Sequence, residues 1–571
     1  MCAVCLCLAS AKAILAKEEQ RPNVVLIVAD DATTADLGFA GSQIKTPSID
    51  RLAEQGAFFS RLHASPVCSV TRAMLLTANN PVEVGLGTFD YAVYPGAKGA
   101  KGYETYMTRD TVALPELLDD AGYLTMMVGK WHLGGKLSGG EGPHEWGFDH
   151  SYTILSGGAN HWNSGISLPN LNNPDHVRIA AEGKIPQEKF YENGIEVQRP
   201  IGVYSDDLWT TKLLGYLQEA RDAGKPFFAY VAYTTPHAPL QAPRQLIDKY
   251  LDYYCRLGFE DLKRKRWEAQ VANGIIPADA PMPGWSSNPL VRRWDELSEE
   301  EKRRNARSMA TYAAMMESQD ANIGRIMNYL RESDELANTL VIYISDNGPE
   351  GQDIRGPLSH EKLAAWLESV SNPSIESIGD GDNYAFLGTE LANATTGGYS
   401  WWKWFIGEGG VRVPLIIVPP ADTRFTRKGT KTDVFVSVKD VPVTILDYAG
   451  IQHPGDTYKG RTIALPSGVS IRPFLEGKTN EVRSDDQWYA FELFGNGYIV
   501  AGDYKAIKVR KGMWGDGEWH LYNITRDPGE TTRIEAEFPE LLDKLVATYE
   551  RYVEERNVVP VDEEWNPWGR N

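Results

Sequence analysis

Three groups of residues in this chain have the types and spacing to do chemistry. The first is Asp30-Asp31 and Asp346-Asn347, two acidic or amide pairs that each close an apolar run. They offer only oxygen donors, a set suited to a hard cation, Ca²⁺ or Mg²⁺, and not to zinc, which calls for His or Cys. The second is cationic: Arg72, Lys130, His132, His237 and Lys403. Around a hard metal, such groups hold a tetrahedral oxyanion and neutralise charge on a departing oxygen. The third is Pro66-Val67-Cys68-Ser69-Val70-Thr71-Arg72, running into the apolar Ala73-Met74-Leu75-Leu76. It reads as a loop feeding a helix, with Cys68 near the N-cap and Arg72 one turn inside. Residues three and four apart share a helix face, so Cys68, Thr71 and Arg72 are expected to point together. Both the helix dipole and the arginine favour the thiolate form of Cys68.

These groups need a frame that brings them together. Asn23–Ala29 is a continuous, β-branched apolar run, the mark of a strand buried on both faces, and it ends in Asp30-Asp31. Tyr123–Val128 runs into Lys130 and His132, Pro226–Tyr233 into His237, and Leu340–Ile344 into Asp346-Asn347; Val413–Val418 is a further strand. Helices are expected from Thr46-Pro47 to Gly56, over Leu114–Ala121, Leu208–Ala220, Met309–Leu330 and Val436–Ala449, the last stopped by Gly450. Residues 135–205 read as irregular loops, 250–305 as a charged helical insertion, and 350–400 as a rim or lid. The alternation gives an α/β fold: a large, mainly parallel, doubly wound sheet flanked by helices. In such sheets the ligand sits beyond the carboxyl ends of the strands, where all four polar endings would meet. From about 481 short strands (Trp488–Leu493, Tyr498–Val500, Tyr504–Val509) and a final helix over Pro539–Glu555 indicate a smaller antiparallel sheet with a helix. The expected division is a main α/β domain over 22–480 and an α+β subdomain over 481–571.

A hydrophobic content of 42% with 16 Trp and 27 Tyr excludes a disordered chain. The net charge of −19 argues against a nucleic-acid or anionic-membrane partner, and requires any anionic substrate to be captured by a local cation cluster. No apolar run is long enough to span a membrane. Residues 1–16 carry a short apolar stretch with Cys2, Cys5 and Cys7 before Ala11-Lys12-Ala13, as in an export signal, though without a basic start. That places the chain in the periplasm or outside the cell. Without the leader, Cys68 and Cys255 remain, and a cysteine opening a helix in an oxidising compartment points to special chemistry.

Six segments, in order, carry a resemblance. They are Pro22–Asp31, Cys68–Arg72, Gly129-Lys130-Trp131-His132-Leu133-Gly134, Thr235–Leu240, Ser345–Gly348, and Lys403 followed by Gly409–Pro414. The chain resembles a type I sulfatase, of the arylsulfatase branch of the alkaline phosphatase superfamily, across most of its length. The resemblance implies a sulfuric ester hydrolase whose Cys68 is oxidised to formylglycine, the hydrate of which attacks sulfur. A formylglycine-generating enzyme, or another maturase, is then a partner. It implies metal ligation by Asp30, Asp31, Asp346, Asn347 and the residue formed from Cys68. Arg72 would steady the formylglycine alkoxide, and Lys130 and Lys403 would bind sulfate oxygens. His237 with Lys403 would protonate the leaving oxygen, and His132 would assist the hydrate and its breakdown.

The chain departs from that pattern at one position. The family's Cys-x-Pro-x-Arg, sometimes with Ala in the middle, has Val70 here, and Val is β-branched and keeps the N–H that Pro lacks. An unmodified Cys68 would make the chain a non-catalytic metal-binding relative. The rival within the superfamily, a phosphodiesterase or phosphonate monoester hydrolase, usually carries Asp-His-Gly where this chain has Asp346-Asn347-Gly348. Small aryl or alkyl sulfate esters are the expected substrates, and Trp162, Tyr399, Trp401, Trp402 and Trp404 are candidates to stack on an aryl or sugar ring.

Overall fold

The computed structural model describes residues 21–90, 92–135, 139–162, 182, 188–353, 361–484, 487–511, 514–562 and 565. The proposed leader, 1–16, lies outside the described residues. Eleven strands form the main sheet: β1 (Asn23–Ala29), β2 (Ala57–His63), β3 (Leu124–Lys130), β4 (His150–Ile154), β5 (Phe190–Glu192), β6 (Ile195–Val197), β7 (Phe227–Ala232), β8 (Thr339–Ser345), β9 (Arg412–Val418), β10 (Thr430–Thr432) and β11 (Val436–Ser437). Its centre is the parallel block β8-β1-β7-β3-β4, in which Leu26 of β1 faces Tyr230 on one side and Ile342 on the other. Every residue of β1, β7 and β8 is buried, which is why, apart from Asn23, Thr339 and Ser345 at their ends, their sequences are apolar runs with no polar alternation.

Helices cover both faces. The 34-residue helix Glu299–Glu332 packs with Ser205–Ala223 and Arg244–Tyr254, while Cys68–Thr77 packs with Leu114–Asp120 and Asp440–Ala449. The sheet is mixed: β9 runs antiparallel to both β8 and β2, and β5 and β6 add an antiparallel edge. Three of these strands, β4 to β6, fall inside 135–205, expected to be loop. They are three to five residues long, too short to show a period above the surrounding Gly and Asn. Val436–Ser437 is a strand and not the start of the following helix, which begins at Asp440 and ends at Gly450 in the left-handed conformation. The helix expected from Met309 begins at Glu299, behind a capping box in which Ser298 N donates to Glu301 Oε2 (2.9 Å) and Glu301 N to Ser298 Oγ (3.3 Å).

After a short two-stranded ribbon, β12 (Thr457–Tyr458) and β13 (Arg461–Thr462), comes a separate antiparallel sheet: β14 (Trp488–Leu493), β15 (Asn496–Ala501), β16 (Tyr504–Lys508) and β17 (Trp519–Asn523). Alternation sorts its two faces. Ala490, Ile499, Ala506 and Leu521 meet the helix Pro539–Glu555, while Phe491, Tyr498 and Ile507 join the main core. A buried ionic cluster lies on this second face. Lys505 Nζ donates to Ile406 O and pairs with Glu408 and Glu530, each contact at 2.8 Å. Glu408 also meets His63 (3.2 Å) and Arg412 (3.3 Å), and its own N–H donates to Glu530 (2.9 Å). Burial pushes carboxyls up, but Lys505 and His63 outweigh it at Glu408, which is held well below the usual range. Glu530 is pushed up to about 7 by burial and by Glu408, against the pull of Lys505.

Candidate functional site

Three neighbouring strands lock their ends together before any side chain is considered. Asp30 N donates to Thr235 O (3.0 Å) after β7, and Asp346 N, after β8, donates to Ala29 O (3.1 Å). Asp31 then turns left-handed (φ 74°) and gives its N–H to Asp346 Oδ1 (3.2 Å). Gly348 accommodates a close approach: a Cβ there would lie 1.9 Å from Gly409 O, and its N–H donates to Gly410 O (3.0 Å). In this way the Asp346 loop is zipped to the loop that carries Lys403.

The cations fill the gaps between the acids. Lys130, the last residue of β3, donates to both oxygens of Asp30 (3.0 and 2.8 Å). Arg72 reaches from one turn into its helix to Asp346 Oδ2 through Nε (2.9 Å) and a terminal nitrogen (2.8 Å), and also donates to Lys130 O (2.9 Å). Lys403 Nζ lies 2.8 Å from Asp31 Oδ1 and 3.0 Å from Glu350 Oε2. Its backbone is fixed on both sides, Lys403 N to Pro349 O (3.1 Å) and Trp404 N to Pro66 O (2.8 Å). Asn347 Nδ2 donates to Asp31 Oδ1 (2.6 Å).

Cys68 is the first residue of the helix Cys68–Thr77 and is 5% exposed. Its Sγ sits 3.3 Å from His132 Nδ1, and His132 Nε2 is 3.7 Å from Asp90. Thr71 does not share this direction: its hydroxyl accepts from Ser65 N (2.9 Å) and tightens the loop before the helix. His237 donates from Nδ1 to Ala238 O (2.6 Å), leaving Nε2 turned to Asp31 Oδ2 at 3.8 Å. Cys68 and Cys255 are both free, the first buried and the second exposed, so no bridge joins them.

Charge sets the protonation of these groups. Burial raises the Cys68 thiol, but Lys130, His132 and Lys403 outweigh it and bring it down to about 5. Burial lowers His132, but Cys68 and Asp90 lift it to about 9. Burial, then Lys403, hold His237 well below its ordinary value. Asp346 is pushed up to about 7 by burial and by Asp30 against Arg72, and burial raises Asp31 despite Lys403. Crowded carboxylates of this kind are relieved by a divalent cation. The donor set fits one: Asp31 Oδ2 and Asn347 Oδ1 are buried without a hydrogen-bond partner, and atoms of Asp30, Cys68 and Asp346 lie within 4.8 Å of one another.

The ten residues named from the sequence as catalytic or metal-ligand candidates therefore meet in one place. Reading the sequence missed Glu350, Asp90 and an aromatic wall. Glu350 Oε1 accepts from Trp404 Nε1 (3.2 Å) and Gln352 N (2.8 Å). Phe89 stands 6.5 Å from the His132 ring and 5.1 Å from Trp404, and Phe494 from the C-terminal sheet stacks on Trp404 at 5.9 Å. Among the aromatic residues proposed for stacking, Trp404 alone joins this wall. Tyr399 packs beneath Arg412, Trp162 against Tyr204, and Trp401 and Trp402 face elsewhere.

Comparison with known proteins agrees on one family. The family model described as Sulfatase matches residues 22–451. An uncharacterized sulfatase of Schizosaccharomyces pombe is 36% identical over 560 residues, 96% of each chain. An arylsulfatase of Klebsiella aerogenes is 30% identical over 471 residues, 82% of this chain and 95% of its own. The crystal structure of Ps i-CgsB shares the fold, with a TM-score of 0.64 over 95% of both chains at 24% identity.

Proposed function

The chain belongs to the sulfatase family, and on that premise we propose that it hydrolyses small aryl or alkyl sulfate esters through a formylglycine made from Cys68. Sulfate ester hydrolysis is the activity its relatives share. The observation that carries the finer reading is the convergence on Cys68 of three buried cations and four oxygen-ligand residues, two of whose oxygens lack a donor. Asp30, Asp31, Asp346 and Asn347, with position 68, would hold Ca²⁺ or Mg²⁺, which when bound supplies Lewis-acid charge next to the sulfate. The formylglycine hydrate supplies the hydroxyl that attacks sulfur.

The remaining roles fall to the chain's own side chains. His132 Nδ1 stands within reach of the side chain at position 68 and takes its proton, with Asp90 supporting the charge that results. Arg72, locked on Asp346, and Lys130, locked on Asp30, fix the positive field around that side chain. Lys403, kept charged by Asp31 and Glu350, is the proton-bearing group for the departing alcohol, with His237 beside it. The wall of Phe89, Trp404 and Phe494, edged by the carboxylates of Asp90 and Glu350, favours an apolar alcohol over a polyanionic one. Export to the periplasm or beyond, and a division between main domain and C-terminal subdomain near residue 480, complete the proposal. No helix among the described residues is long and apolar enough to cross a membrane.

The test is mass spectrometry of the tryptic peptide Leu62–Arg72 from protein made in its own host, with turnover of an aryl sulfate measured beside the matching phosphate mono- and diesters. An aldehyde or its hydrate at position 68, with sulfate preferred, supports the reading. An alkylatable thiol without sulfate release overturns it.

A further inference from the structure

Next in sequence to Lys403, Trp401 and Trp402 line a cleft of about 410 Å³ that shares no lining residue with the site described above. Three of the chain's tryptophans meet there. Trp514 stands edge-on to Trp402 (5.5 Å between centroids, 89°) and to Trp401 (6.3 Å, 73°), and Trp401 and Trp402 lie 6.2 Å apart at 45°. Phe405 packs against both Trp401 and Trp514 (4.7 and 5.3 Å), yet the two indoles line the cleft only half-buried. The other lining groups are neutral. They include Asn288, Asn393 and Ser400, and among the described residues no charged side chain lines the cleft. Ser400 donates its hydroxyl to Gly529 O, which leaves its oxygen free to accept. Asn393 is 3% exposed and its Nδ2 has no hydrogen-bond partner, a buried donor that a ligand oxygen would satisfy.

We infer that this cleft is an accessory binding site for a neutral saccharide, separate from the sulfate-cleaving centre. A pyranose ring presents an apolar C–H face and an edge of hydroxyls. Indoles match the first, and amides and hydroxyls match the second. An anionic ligand finds no cation here. A quaternary ammonium finds aromatic faces but no carboxylate to complete a cage. The volume lies within the range of small-ligand sites and exceeds what one ring needs, so a short oligosaccharide fits. The site reaches beyond the proposed reaction and does not depend on the state of Cys68.

The test uses the whole protein and unsulfated hexaoses (maltohexaose, cellohexaose, mannohexaose and agarohexaose) at millimolar concentration. Binding is read by calorimetry and by tryptophan fluorescence. At least one hexaose should bind with one-to-one stoichiometry and shift the indole emission. Trp514→Ala should weaken that binding by about tenfold or more, as loss of a stacking platform does. Asn393→Leu, checked for folding by its melting curve, should weaken it too, while Cys68→Ala should leave it intact. Loss of binding in Cys68→Ala would move the sugar to the sulfate centre and overturn the inference. So would binding that survives Trp514→Ala, silence from all four hexaoses, or saturable binding of tetramethylammonium in their place.

Discussion

Replacing Lys505 by Met keeps the stem and removes the charge from a cluster that has no access to water. In the native protein Lys505 Nζ holds Glu408 and Glu530 at 2.8 Å each, with both carboxylates buried. Glu408 keeps Arg412 and His63 in the variant, whereas Glu530 is left with the N–H of Glu408 as its partner. Breaking a buried pair from one side costs about 3–5 kcal/mol. Glu530 has an escape, because burial and Glu408 already push it up to about 7 and losing Lys505 raises it further. Below that raised value the neutral acid is the ground state, and the cost shrinks to the lost hydrogen bonds, about 1–2 kcal/mol. The sign follows from proton linkage. A carboxyl whose folded value exceeds its unfolded one binds more protons when folded, so stability falls as pH rises through that window. The penalty should therefore be larger at pH 8 than at pH 6, by about 1.4 kcal/mol for the unit above pH 7 in which the variant, but not the wild type, keeps Glu530 protonated. Thermal melts of wild type, Lys505→Met, Glu530→Gln and the double variant at both pH values read this directly. The double variant should recover much of the loss at pH 8. A single-variant penalty under about 1 kcal/mol at pH 8, within reach of an ordinary surface change, or one that does not change with pH, would refute the reasoning.

Three further outcomes are expected. Chelation should lower the melting temperature and added Ca²⁺ or Mg²⁺ restore it, by about 2.7 kcal/mol at a hundredfold excess over Kd; Asp31→Ala should abolish the restoration, and a melt indifferent to chelator would count against the metal. Lys403→Ala should cut kcat/KM for 4-nitrophenyl sulfate by about a hundredfold and for phenyl sulfate by more, since the poorer leaving oxygen needs its proton; equal losses would remove the protonating role. Val70 is the third residue of its helix, in the first turn, where Pro is tolerated. Val70→Pro should therefore raise the aldehyde fraction in the Leu62–Arg72 peptide, and an unchanged fraction would clear Val70 as an obstacle to maturation.

The site was largely legible because its frame is written in the loudest signal a sequence has. Strands buried on both faces must be apolar throughout, so the polar residue that ends each of them stands out, as Asp30, Lys130 and Asp346 do. Glu350 and Asp90 carry no such mark. Each is an acid in an irregular stretch, and its place beside Lys403 or His132 is set by loop paths that no periodicity encodes. The short strands β4 to β6 and β11 were hidden for a related reason: two to five residues cannot display a period. The start of the helix at Glu299 was there to be read in Ser298 and Glu301, but the charged run that follows masks the apolar stripe. Phe494 shows the other limit, since its neighbours Phe89 and Trp404 lie far away in sequence and come near it through the packing of the C-terminal sheet.

That packing has a consequence for the order in which a growing chain becomes whole. The acids and their first cations, Asp30 to Asn347 with Arg72 and Lys130, lie at strand ends and on one helix within the first 347 residues. The segment bearing Lys403 is different. Its neighbours Ile406 and Glu408 are moored to Lys505 and Glu530, and the last of these is 122 positions further along. A nascent chain stalled near residue 480 would already hold Lys403 to Pro349 and Trp404 to Pro66, but Ile406 and Glu408 would lack Lys505 and Glu530, and the aromatic wall would lack Phe494. The packing around Lys403 is thus completed only when the last strands arrive, after every other residue of the candidate site has been synthesised.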